Sequence, residues 1–263
     1  MASIIDHNGV ERKLGLLPLD EQGKQLRAAQ PTFSDFLSEK GMVVYQSFEW
    51  EERDNFSEFG NEFVLDQHQS SGCVGWSEAA AEMKVRARRG MPFEILSGAF
   101  TYAHINGGRD EGAQIVAAMT ASRQYGHALK SEFDYPKIFL NQIPDAVKES
   151  ALTRQSTLAY TINSREEFFT ALMLGFVVQH GVTVGGNFNN FDQNGFAGFS
   201  GGYANHSVHS FGCKMINNVM CPLMGNTWGP WGPWRNGNCY LQPRAVLLDD
   251  AFVHVDSEWR NDQ

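Results

Sequence analysis

The stretch Asp66-Gln67-His68-Gln69-Ser70-Ser71-Gly72-Cys73-Val74-Gly75-Trp76-Ser77 constrains this chain more than any other. Polar and small residues run into a cysteine, and a helical pattern starts at that cysteine. Cys73, Trp76, Ala80, Met83 and Ala87 recur at spacings of three and four, which predicts one apolar helical stripe. Ser70 and Ser71 offer capping side chains, and Arg86, Arg88, Arg89 and Gly90 mark the far end. The thiol is therefore expected in the first turn, where unpaired N–H groups and the dipole favour a thiolate. A cysteine so placed serves either as a nucleophile or as a buried space-filler.

Two distant segments weigh on that choice. Asn205-His206-Ser207-Val208-His209-Ser210-Phe211-Gly212 puts a histidine at the head of a strand-like alternation. Gly225-Asn226-Thr227-Trp228-Gly229-Pro230-Trp231-Gly232 supplies an asparagine followed by a tryptophan. The order Gln, Cys, His, Asn resembles that of the papain-like cysteine peptidases. Gln67 lies six residues before Cys73, the spacing of that family's oxyanion-hole glutamine. Asn205-His206-Ser207-Val208 is similar to the family's Asp/Asn-His-Ala-Val, and Asn226-Thr227-Trp228-Gly229 to its Asn-Ser-Trp-Gly. Trp231-Gly232 with Gly237 and Tyr240, Leu96-Ser97, the glycines at 107, 108 and 112, and Tyr135-Pro136 extend the resemblance over about residues 61 to 250. Val74 departs from the tryptophan usual after the nucleophile. Ser70 stands where many secreted members have a disulfide cysteine.

The resemblance implies an α+β protein with a papain-like two-lobe fold, a helical lobe carrying the cysteine helix and a β-rich lobe carrying His and Asn. It divides the chain into an N-terminal extension or arm, 1–60, and a peptidase domain, 61–263, with lobes at about 66–150 and 151–263. It also implies that Cys73 attacks a peptide or isopeptide carbonyl, His206 protonates the leaving amine, Asn226 orients the imidazole and Gln67 holds the oxyanion. Gly107, Gly108, Ala204 and Trp228 would bind substrate, Trp228 also shielding the His–Asn contact. His209 lies three residues past His206 and faces the other side of an alternating strand. His68 reads as a cleft-rim residue, and Gln69 as a weaker rival to Gln67. A transglutaminase-type acyl transferase would share Cys and His but normally has Asp where this chain has Asn226. The alternative outside enzymes is a papain-fold structural or docking component of a larger assembly, such as a phage particle.

Composition narrows the partners. The 263 residues carry a net charge of −9 and are 42% hydrophobic, which disfavours nucleic acid and anionic membranes and excludes wholesale disorder. Peptide or protein substrates are expected, and no cofactor or metal. The four cysteines form no C-x-x-C pair, and Cys213, Cys221 and His209 lack zinc spacing. With Cys73 free, three cysteines remain, which points to a reducing compartment. No basic segment followed by an apolar run opens the chain, so a cytoplasmic location, or a particle assembled there, is expected.

Along the chain, the first 60 residues read as a polar arm with short apolar patches at Leu14–Leu17 and Met42–Val44. Thr32 or Ser34 would cap a short helix through Leu37. The arm shows no pro-segment helix pattern, so packing against the body or docking to an assembly partner is expected of it. Glu49 to Asn55 reads as exposed. Asn106 to Gly112 is a turn, with Asp110 capping the helix that runs to Tyr125 and closes at Gly126. A helix is expected around Pro144 to Leu152. Ser164-Arg165-Glu166-Glu167 forms a capping box opening an apolar helix through Phe176. Strands are expected from Val182, over His206 to Gly212, over Lys214 to Val219, and around Cys239 to Leu248.

Overall fold

The computed structural model describes residues 2–53, 64–156 and 158–255. Asn55 and the expected boundary near residue 60 lie outside them. A hairpin of β1 (Ser3–Ile5) and β2 (Glu11–Lys13) leads into α1 (Glu21–Ala28) and α2 (Phe33–Glu39). Asp20 caps α1, and Thr32 makes a full capping box with Asp35 at α2, so the threonine of the two expected caps is used.

The helical lobe holds α3 (Cys73–Arg88), α4 (Gly98–Ile105), α5 (Ile115–Tyr125) and α6 (Asp145–Ala151). Helix α3 is buried along almost its whole length rather than on one stripe. It packs on α4 and α5 and on the sheet behind. Gly126 closes α5 with a positive φ of 71°, as the sequence suggests. Its N-terminus, however, is met by Asp250, whose carboxylate accepts from Ile115 N at 2.7 Å. Asp110, the expected cap, is turned to the cysteine loop instead.

The second lobe is a six-stranded antiparallel sheet in the order β3-β8-β4-β5-β6-β7, flanked by α7 (Arg165–Met173). Its strands are β3 (Leu158–Thr161), β4 (Val177–Val182), β5 (His206–Ile216), β6 (Val219–Gly225), β7 (Asn238–Tyr240) and β8 (Leu247–Val255). Ser164 caps α7 by accepting from Glu167 N, but Glu167 reaches back to Asn163 N rather than to Ser164. Several expected strand and helix limits shift, and the strand expected around Cys239 to Leu248 is instead the end of β7, a turn at Pro243–Ala245 and the start of β8. Helix α7 stops at Met173 because Gly175 turns left-handed at φ 78°, so Phe176 leads into β4. Strand β4 ends, rather than begins, at Val182, because all six of its residues are buried and no alternation marks its limits. Lys214 to Val219 is a hairpin, not a strand: Asn217 and Asn218 both have positive φ, at 52° and 61°, as a two-residue turn requires.

Each lobe has its own core. Phe33, Phe36 and Leu37 of α2 join the β-lobe core with Phe168, Phe176 and Val208, whereas Trp76, Phe100 and Val116 centre the helical one. Between the cores runs Leu14-Gly15-Leu16. Leu14 is buried in the β-lobe core and Leu16 in the helical core, so this strap crosses the cleft at the cysteine.

Candidate active site

Helix α3 delivers Cys73 at its first position, but not through the expected serine caps. The N-cap is Gly72, whose side has no room: a Cβ there would meet the Trp76 ring at 2.4 Å. Ser70 accepts from Gly72 N at 3.3 Å and donates to Gln67 O at 2.7 Å. Ser71 N donates to Asp110 Oδ1 at 2.7 Å, and Tyr102 donates to the same oxygen at 3.0 Å, tying the cysteine loop to the α4–α5 turn.

Strand β5 brings His206 beside the helix start. The next residue, Ser207, donates its N–H to Cys73 Sγ at 3.5 Å. His206 Nε2 is 2.8 Å from Asn226 Oδ1, and Trp228 lies over the imidazole with ring centroids 4.8 Å apart. No hydrogen bond joins Cys73 to His206: among the described residues, His206 Nδ1 has no partner. Gln67 is fully buried beside them. Its Oε1 accepts from Trp228 Nε1 at 3.2 Å, and its Nε2 donates to Ser70 O at 2.9 Å and to Lys13 O at 3.1 Å. Thus Cys73, His206, Asn226, Gln67 and Trp228 gather at one place. His209 is elsewhere, its ring against Gly225 and stacked on Phe211. His68, left-handed at φ 53°, stacks on Tyr135 at 4.7 Å.

The strap occupies the cleft. Leu16 N donates to Asn205 O at 3.1 Å, Ala113 N to Gly15 O at 2.8 Å and Leu17 N to Ala113 O at 2.9 Å, a parallel bridge. Gly15 passes so close to the loop that a Cβ would lie 1.8 Å from Ser71 O. Leu16 and Leu17 line a recess of about 310 Å³ together with Gly181, Ala204, Leu247 and Asp250. Gly107 and Gly108 make no hydrogen bond to the strap among the described residues; the pairing falls to Ala113. Ala113 was not legible as a site residue. The one sequence signal was Gly112, whose φ of 97° and close contact with Gly15 exclude a side chain.

Burial reverses the electrostatics expected of the helix terminus. It pushes the Cys73 thiol up to about 11, although backbone N–H groups of Ser207 and Gly15 pull the other way. His206 is brought down to about 4, by burial first and by the Arg12 guanidinium, against the Asn226 contact that raises it. With the strap in place, thiol and imidazole are both held neutral.

No family model matches the sequence, and no curated protein matches it. Solved structures do match the fold. Xylellain, a cysteine protease from Xylella fastidiosa, is 16% identical with a TM-score of 0.62, the match covering 91% of this chain and 94% of that one. The Amb a 11 cysteine protease of ragweed pollen, in its proform, is 18% identical with a TM-score of 0.65, over 89% of this chain and 76% of its own. Digestive procathepsin L 3 of the Tenebrio molitor larval midgut is 15% identical at 0.62, over 92% and 82%. The fold is that of the papain-like cysteine proteases.

Proposed function

We propose that this papain-like fold is a thiol peptidase held latent by its own N-terminal strap. One observation carries the reading: a peptide, the chain's own, lies across Cys73 with its Lys13 carbonyl on the Gln67 amide. The groups that would grip a substrate backbone are gripping Lys13 to Leu17. Once the strap leaves, Gln67 Nε2 has a donor for an oxyanion, and water reaches both thiol and imidazole. Their neutral-holding burial is relieved, and the thiolate–imidazolium couple becomes accessible.

Cys73 Sγ then attacks a substrate carbonyl carbon, and Gln67 Nε2 with the Cys73 N–H stabilises the developing oxyanion. His206 gives its proton to the departing amine as the C–N bond breaks, leaving a thioester. Water, deprotonated by His206, cleaves the thioester and releases the acid with free Cys73. Asn226 Oδ1 fixes the imidazole by accepting from Nε2–H, and Trp228 keeps water from that bond.

The test is hydrolysis of unfolded peptide substrates by the full chain carrying Gly15→Val, whose side chain cannot pass Ser71 O. Cleavage is expected, abolished by Cys73→Ala and lowered about 10²–10³-fold by Gln67→Ala. Cleavage that survives Cys73→Ala would refute the reading.

A further inference from the structure

Arg12, in β2 at the entry to the strap and leaving with it, is almost completely buried, and every N–H of its guanidinium has an acceptor. Nε donates to Asp6 Oδ2 at 2.8 Å, within the N-terminal hairpin that runs into the strap. The other four bonds go to the enzyme body. Nη1 donates to Asp66 Oδ1 and to His68 O at 3.2 Å; Nη2 donates to Asp66 Oδ2 at 3.4 Å and to Trp228 O at 3.0 Å. Asp66 is oriented for this task by accepting from His68 N at 2.7 Å, and Gly229 leaves it room, since a Cβ there would stand 2.8 Å from Asp66 Oδ2. A carboxylate and two backbone carbonyls, all from the body, thus face one planar fork.

When the strap departs, this cradle loses its cation while keeping its shape, because Asp66 and Trp228 are joined by a backbone bridge and Gln67 N is bonded to Thr227 O. Asp66 Oδ2 and the His68 and Trp228 carbonyls then lose the donors that Arg12 supplied, while Asp66 Oδ1 keeps His68 N–H, and a substrate cation can satisfy them. The cradle lies against Trp228, whose ring covers His206, the proton donor to the departing amine. The other half of the cleft, at Ala113 and Asn205, is where Gly15 to Leu17 lie. We infer that Asp66, with the carbonyls of His68 and Trp228, is a guanidinium-binding subsite that selects peptides carrying arginine on the departing-amine side of the scissile bond, and that Arg12 fills it in the latent chain. Lysine fits less well, being a point charge that cannot span the carboxylate and both carbonyls.

The inference rests on the peptidase reading for its reaction, but on geometry alone for its binding, and two measurements separate them. The full chain carrying Arg12→Ala and Gly15→Val is given a pool of peptides randomised around the cut. Arginine is expected to be enriched about tenfold or more on the departing-amine side over norleucine, with lysine between. The enrichment should vanish with Asp66→Asn, which keeps an acceptor for His68 N–H. Cutting without basic preference, or a preference that survives Asp66→Asn, overturns the subsite. If nothing is cut, the peptidase reading has failed, and the subsite is judged by binding. The same chain with Cys73→Ala is titrated with N-acetyl-arginine amide and N-acetyl-norleucine amide, following the His68 amide resonance. Saturable binding of the arginine amide alone, lost with Asp66→Asn, supports the cradle, and equal behaviour of the two amides overturns it.

Discussion

Two parts of the N-terminal region dock on the same body by different physics. Helix α2 inserts Phe33, Phe36 and Leu37, each at most 2% exposed, into the β-lobe core, where Phe36 meets Tyr160 and Phe176 at centroid distances of 5.1 and 5.7 Å. The strap buries two leucines, one in each lobe, and otherwise holds on through backbone hydrogen bonds, a glycine and Arg12. The first mode makes a segment part of the core. The second makes a segment that gives each core a single leucine and otherwise lies in one groove, so that its departure costs less. Sequence position in the arm therefore says little about role; what a segment packs against says more.

The largest effect that separates the two belongs to α2. Phe36→Ala should lower global stability by about 3–5 kcal/mol, read from the denaturant midpoint, while Cys73 stays as protected as before in the folded fraction. A loss near that of a surface substitution would place α2 with the strap. Next is pH. The seated strap requires a neutral His206, whose pKa is depressed to about 4. Seating is unopposed above about pH 6.5 and weakens as pH falls from there toward 4, because a protonated His206 would sit buried beside the Arg12 guanidinium. After correction for intrinsic exchange, the Leu16 and Leu17 amides should lose protection over that range more than those of Phe36 and Leu37. Parallel losses would refute the distinction.

A smaller effect is expected at Gly15. Overpacking by Gly15→Val should cost the strap about 1–3 kcal/mol, a tenfold to hundredfold drop in protection at Leu16 and Leu17 with α2 amides unchanged. Smallest is Lys13→Ala. Its bridge to Asp110, 2.9 Å long, joins side chains 40% and 21% exposed, so no more than about 1 kcal/mol of strap stability should go with it. A Lys13 effect exceeding that of Gly15 would mean that surface charge, not fit, seats the strap.

What was legible in the sequence follows the range of each signal. The Cys73 helix, the Thr32 and Ser164 caps and the Gly126 terminus are local, and they stand where the spacing put them. His206 at the head of β5 and Asn226 just past β6 came from residue order, and the sheet carries them to one place. The strap was not legible. Leu14-Gly15-Leu16-Leu17 reads as a short apolar patch in a polar arm, and its partners Ser71, Ala113 and Asn205 are remote in the chain. The thiol shows the same limit: the helix dipole is local and predicted a lowered pKa, while the burial that wins comes from the packing of the whole helical lobe around it. A cut after residue 40 would remove α2 with the strap and so test folding along with latency.

The central claim is that Cys73 is a nucleophile which the strap keeps from substrate. The direct measurement is the rate at which a peptidyl electrophile labels each cysteine, read by mass spectrometry, in the wild-type chain and in Gly15→Val. Slow labelling is expected in the wild type, and in the variant a rise of tenfold or more confined to Cys73. Equal rates in the two chains, or label on Cys213, Cys221 or Cys239 instead, would contradict it.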